Sequence, residues 1–137
     1  MAVNTQFSIA VHIMAGLAVG CDREMTSSRL AMSVNTSPSF VRRVVSKLSK
    51  ANLVETTTGK TGACRLAKNA KNISLLDIYQ AVDAPKAFAI HNYKEQKNCS
   101  VSCQIKTVLE HVLEKSQHSL ESSLREISLA EIVSDLK

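Results

Sequence analysis

The stretch from Thr26 to Leu66 constrains the fold more than any other, because helix, turn and strand signals follow one another there at close spacing. Thr26 is placed to cap a short helix over residues 27–33, its side-chain oxygen accepting an N–H from the first turn. After the turn Val34-Asn35-Thr36, Ser37 is a second N-cap, and Pro38 occupies the first helical position, where its missing N–H costs nothing. That helix is expected to run to about residue 51. Residues 53–58 are β-prone, Gly59-Lys60-Thr61-Gly62 is a turn, and Ala63-Cys64-Arg65-Leu66 is a return strand. A helix–turn–helix followed at once by a hairpin reads as a winged helix.

The second helix of that pair carries the chemistry. On a helical wheel Val41, Val44, Val45 and Leu48 gather on one side. Ser39, Arg43, Ser46 and Lys50 point the opposite way, flanked by Arg42 and Lys47. Short hydroxyl side chains at its start would let the helix end approach base edges. An arginine fork can bond guanine O6 and N7, and lysines farther along can reach phosphates. An amphipathic helix with a merely solvated basic face has the same pattern, so context must decide. Charge supplies part of it: residues 1–72 hold ten Lys/Arg against three Asp/Glu, whereas residues 73–137 hold seven against nine, within a net charge of +5. A basic front half suits a polyanion. With no Trp and few aromatics, a stacking platform for single strands is disfavoured, and duplex DNA is the better candidate.

The 137 residues suffice for one domain with an appended helix. Phe7, Ala10, Val11, Met14, Leu17 and Ala18 define one buried face of a first helix over residues 5–19. Ile9 and Ile13 add a second apolar edge, wide enough for a further contact such as another subunit. His12 lies between them and reads as structural, since no second ligand stands beside it at helical spacing. Ile73-Ser74-Leu75-Leu76-Asp77-Ile78 is a capping box with a hydrophobic staple, opening a helix to about Val82. The same grammar recurs at Ile127-Ser128-Leu129-Ala130-Glu131-Ile132, and is read as a second helix start, not a domain repeat. Residues 84–98 lack periodicity. Beyond them Val101, Ile105, Val108, Leu109, Val112 and Leu113 mark a long amphipathic helix that most naturally meets a second subunit. The expected fold is therefore mainly α with a small β-hairpin wing: a winged helix-turn-helix domain over 1–83, a connecting or sensor loop over 84–100, and a dimerisation helix and C-terminal helix over 101–137.

The helix with its His12-Ile13 pair, Thr26-Ser27-Ser28-Arg29-Leu30-Ala31, Ser37-Pro38-Ser39-Phe40-Val41-Arg42-Arg43, Leu48-Ser49-Lys50-Ala51-Asn52-Leu53-Val54 and the Gly-containing wing together resemble the Rrf-two family of bacterial winged-helix transcription regulators. The resemblance covers nearly the whole chain and is strongest over residues 26–83. It implies a homodimer, with one recognition helix and one wing per subunit, on a partly palindromic double-stranded DNA operator. The expected base contacts are Ser39, Arg42 and Arg43; the backbone contacts are Ser28, Ser37, Lys47 and Lys50; the wing contacts are Thr58 and Lys60.

Four cysteines, Cys21, Cys64, Cys99 and Cys103, in a chain without a recognisable secretion signal read as thiols and not as structural disulfides, in a cytoplasmic protein. The apolar run from Phe7 to Val19 is shorter than a membrane span needs, and no membrane partner is expected. The resemblance implies sensing residues at the start of the long helix, where Cys99 and Cys103 stand and where the dipole field favours an anion. Cys64, in the wing, is the third redox-sensing candidate. Cluster-binding members of the family carry three closely spaced cysteines in this loop, and this chain has two, so help would have to come from His91, His111 or a partner chain. No cofactor or metal is therefore expected.

The leading reading is a redox-responsive DNA-binding repressor. The alternatives are an iron–sulfur or metal-responsive regulator, and a winged-helix interaction module that does not bind DNA. A thiol-redox enzyme is disfavoured, because there is no Cys-x-x-Cys, no Ser/His/Asp arrangement and no βαβ pattern.

Overall fold

The computed structural model describes residues 5–20, 25–57 and 63–136. The described residues of Met1–Ala84 and Leu124–Lys137 cluster into one compact unit, and Pro85–Ser123 form another.

In the first unit α1 (Gln6–Val19) is the central element. Its apolar faces are taken up within the chain: Ala10, Ile13 and Met14 are fully buried, and Leu17 nearly so. The reason is the number of neighbours, since α1 packs against α2 (Ser27–Val34), α3 (Pro38–Lys50), α4 (Leu75–Ala81), α6 (Leu129–Asp135) and β3 (Ala63–Leu66). The second apolar edge is thus used at least in part at home, Ile13 being sealed inside this unit. Gly16 permits the close crossing of α1 and α2, for a Cβ there would stand 3.3 Å from Leu30 Cδ2.

Local chemistry sets the helix ends. Thr26 Oγ1 accepts the Arg29 N–H at 3.2 Å, and Ser37 Oγ accepts the Phe40 N–H at 3.2 Å. Between α2 and α3 the chain reverses through Asn35 at φ 64°, a left-handed conformation that asparagine tolerates. The strands β1 (Met25–Thr26), β2 (Val54–Thr56) and β3 form an antiparallel sheet in the order β1-β3-β2, with Thr56 opposite Cys64 and Val54 opposite Leu66. The hairpin was legible from sequence; β1 was not. Met25 pairs with Cys64 on the far edge of β3, and two residues are too few to show strand alternation.

Both capping boxes form. Ser74 Oγ accepts the Asp77 N–H while Asp77 accepts the Ser74 N–H, each at 3.0 Å. Ser128 and Glu131 repeat the arrangement. The two helix starts lie side by side: Ser74 and Ser128 form an antiparallel bridge, the Leu75 N–H donating to the Ile127 carbonyl at 2.9 Å and the Leu129 N–H to the Ile73 carbonyl at 2.8 Å. Residues 101–137, grouped together on sequence grounds, are therefore divided. The helix α5 (Ser100–Arg125) begins in the second unit, and its end and α6 belong to the first, where Leu129 is fully buried.

The second unit is a loop and a helix. At 26 residues α5 is about 39 Å long. The loop before it lacks periodicity because it is held by polar side chains and not by an apolar stripe. Gln117, buried, accepts the Ala87 N–H at 3.0 Å, Ser102 Oγ accepts the Gln96 N–H at 2.9 Å, and the Tyr93 hydroxyl donates to the Ser102 carbonyl. Val101, Val108 and Val112 of α5 are 65%, 54% and 50% exposed. Among the described residues no helix is long and apolar enough to cross a membrane.

Candidate nucleic-acid interface

Helix α3 separates its two faces sharply. Val41, Val44, Val45 and Leu48 are buried, while Ser39, Arg42, Arg43, Ser46 and Lys50 are exposed. Lys47 is half-buried, as a long stem lying along the protein with its charged head outward would be. The burial is what aims the helix: with four apolar side chains locked in the core, rotation about its axis is not available, so the exposed hydroxyls and cations hold one direction.

At the N-terminus of α3 the hydroxyls have distinct duties. Ser37 Oγ accepts the Phe40 N–H and also shares a hydrogen bond of 3.3 Å with Ser39 Oγ, which ties the two hydroxyls together. The Arg43 guanidinium lies over the Phe40 ring, 5.3 Å from its centroid. Ser28 is exposed in the first turn of α2, the helix packed against α3. Beside it Arg29 is also exposed, a cation in a helix too short for its periodicity to mark an outward face.

On the hairpin, Arg65 and Glu55 form an exposed cross-strand ion pair at 2.9 Å. An exposed pair of this kind contributes little to stability, roughly 0–1 kcal/mol, but it occupies the Arg65 side chain. Thr58 and Lys60, the wing-tip candidates, lie outside the described residues, as does Cys21. His12 Nε2 and Ser33 Oγ share a hydrogen bond of 2.9 Å linking α1 to α2, the structural use inferred for that histidine.

The three described cysteines separate by environment. Cys64 is buried in the middle strand of the sheet, and burial pushes its thiol above the usual range, so the neutral form is held. A reactive cysteine needs access and thiolate character, and burial favours neither at Cys64. Cys99 and Cys103 are exposed at the start of α5. Cys99 Sγ accepts the Ser102 N–H at 3.5 Å, and the Cys103 thiol donates to the Gln96 carbonyl at 3.5 Å. Cys99 immediately precedes the first residue of α5 and Cys103 lies in its first turn, the Cys103 N–H bonding to the Cys99 carbonyl.

The family model that matches the chain, over residues 3–135, is Rrf2, described as an iron-dependent transcriptional regulator. YwnA of Bacillus subtilis (strain 168), provisionally named an HTH-type transcriptional regulator, is 34% identical over 135 residues, 98% of either chain. A crystal structure of a protein provisionally described as DNA binding superposes with a TM-score of 0.75 at 31% identity, over 93% of this chain and 97% of the other. The oxidized form of Staphylococcus aureus CymR has the same fold, with a TM-score of 0.74 at 17% identity over 100% of this chain and 99% of that one. As to iron, among the described residues no three His, Cys, Asp or Glu side chains gather closely enough to hold a metal. Cys99 and Cys103 supply two thiols where a cluster takes four ligands, so the described residues of one chain do not fit an iron–sulfur cluster.

Proposed function

The chain belongs to the Rrf2 family of transcriptional regulators, and we propose that it acts as a homodimeric repressor that reads a partly palindromic operator through α3 and responds to thiol oxidation at the start of α5. The observation that carries the DNA reading is the fixed outward direction of Ser39, Arg42, Arg43 and Lys50 on a helix whose opposite side is fully locked in the core. Ser39, Arg42 and Arg43 contact base edges; Ser28, Ser37, Lys47 and Lys50 contact the backbone; Thr58 and Lys60 reach it from the wing. Two copies related by a two-fold axis place their recognition helices about one helical turn of DNA apart, some 34 Å. The exposed edge of Val101, Val108 and Val112 on α5 supports dimerisation, since an isolated long helix gains nothing by showing valines to water. As a repressor, the bound dimer blocks the promoter it covers.

Control is assigned to Cys99, with Cys103 as its neighbour. The Cys99 thiolate attacks a small disulfide such as oxidised glutathione, forming a mixed disulfide and releasing the other half as a thiolate. A bulky adduct on Cys99 removes its contact with the Ser102 N–H and alters how the start of α5 packs, and DNA affinity changes with it.

The test is fluorescence anisotropy with a labelled duplex from upstream of the coding region, excess competitor DNA, and protein before and after exposure to oxidised glutathione. Specific binding that changes on oxidation, and no longer does so in Cys99→Ser, supports the whole reading. Specific binding indifferent to oxidation removes the thiol control and leaves the DNA assignment standing. Absence of specific binding removes the recognition role of α3.

A further inference from the structure

The contact between Arg43 and Phe40 carries a consequence for recognition. An arginine on an exposed helix face has four rotatable side-chain bonds, and the entropy of ordering them is lost when the guanidinium is pinned to a base. Here the guanidinium already lies over the ring of Phe40, three residues earlier on α3 and on the adjoining edge of the helix. The ring is not a loose surface group: Phe40 is half-buried and packed against the core cluster that holds Val41 and Val44. Its backbone N–H is engaged by the Ser37 cap at 3.2 Å, which fixes the turn from which it projects. A cap, a core-anchored ring and a cation stacked on it form a chain of restraint ending at a side chain suited to a bidentate guanine contact.

We infer that Phe40 is a positioning residue for DNA readout, holding the Arg43 guanidinium in the orientation that base recognition uses. This rests on the placement of α3 in the major groove given above. Phe40 contacts no DNA itself; it acts by reducing the freedom that Arg43 loses on binding, so its removal weakens discrimination between base pairs and leaves the phosphate contacts as they were. An aromatic ring is required because the attraction is to the negative face of the π-system, which leucine lacks although it fills much of the same volume.

The experiment uses the full-length protein and a duplex enriched by selection from a random pool, paired with duplexes in which each base pair of the half-site is replaced in turn. The ratio of affinities, its salt dependence and the melting temperature are measured for wild type, Phe40→Leu, Phe40→Tyr, Arg43→Ala and the Phe40→Leu/Arg43→Ala double variant. The ratio should fall about two- to five-fold in Phe40→Leu, the size of an exposed cation–π contact, with the salt slope unchanged. Phe40→Tyr should keep it, and Phe40→Leu should do nothing further once Arg43 is alanine. Unchanged discrimination in Phe40→Leu, while Arg43→Ala loses it, overturns the inference and leaves the DNA reading intact. Equal losses from Phe40→Leu with and without Arg43 also overturn it, since the ring would then act through general stability. No loss in Arg43→Ala removes both the inference and the assigned role of Arg43.

Discussion

Ser74 and Ser128, 54 positions apart in the chain, face each other in an antiparallel bridge. Each is at once the N-cap of its own helix and the partner of the other's strand-like entry. The first N–H groups of a helix have no partner within it and often turn to water. Here the Leu75 and Leu129 N–H groups are used across the bridge, so the C-terminal segment is stitched onto the unit that carries α3.

Replacing one cap serine tests that stitch. Ser74→Ala and Ser128→Ala should each destabilise the protein by about 1 kcal/mol, the typical worth of a side-chain N-cap. Because the two caps meet, the double variant should depart from additivity, which urea unfolding of all three variants at one protein concentration will measure.

A larger loss is expected at Leu129, which is fully buried although it lies close to the end of the chain. Leu129→Ala should cost roughly 2–5 kcal/mol, the range for emptying a packed leucine site. If α6 were only loosely attached, the same denaturation experiment would show a change well under 1 kcal/mol.

The three described cysteines should label in two classes. Iodoacetamide near neutral pH should modify Cys99 and Cys103 in the native protein and spare Cys64 until urea is added, with peptide mass spectrometry identifying each site. The raised thiol of Cys64 also has a sign in stability. The unfolded chain gives up its proton at a lower pH than the folded one, so stability is undiminished below the ordinary thiol range and falls as pH rises through it. Cys64→Val should abolish this alkaline slope.

Lys50 is exposed near the C-terminal end of α3 and assigned to phosphate. Lys50→Ala should weaken binding to every duplex alike and reduce the salt slope by about one counterion per subunit. Titrations at several salt concentrations, on operator and unrelated DNA, check this; a loss confined to the operator would move Lys50 among the base-reading residues.

Much of the first unit was open to reading because its signals are local. Thr26, Ser37, Ser74 and Ser128 each announce a helix start through a side chain reaching only three residues ahead. The split of α3 into Val41, Val44, Val45 and Leu48 against Ser39, Arg43 and Lys50 likewise needs only helical periodicity. The stacking of Arg43 on Phe40 joins residues only three apart, yet it was missed, since periodicity tells which face a side chain is on and not which rotamer it adopts.

The sequence by itself determined the capped helix starts, the hairpin and the cationic face of α3, because capping, turn chemistry and amphipathic spacing act over a few residues. Tertiary structure alone decided that Met25 adds a third strand, that the entries at Ser74 and Ser128 pair, and that Cys64 lies buried while Cys99 stays open. Those outcomes depend on which distant segments come together: a two-residue strand or a buried thiol is defined by its neighbours, and nothing in its own few residues carries that information.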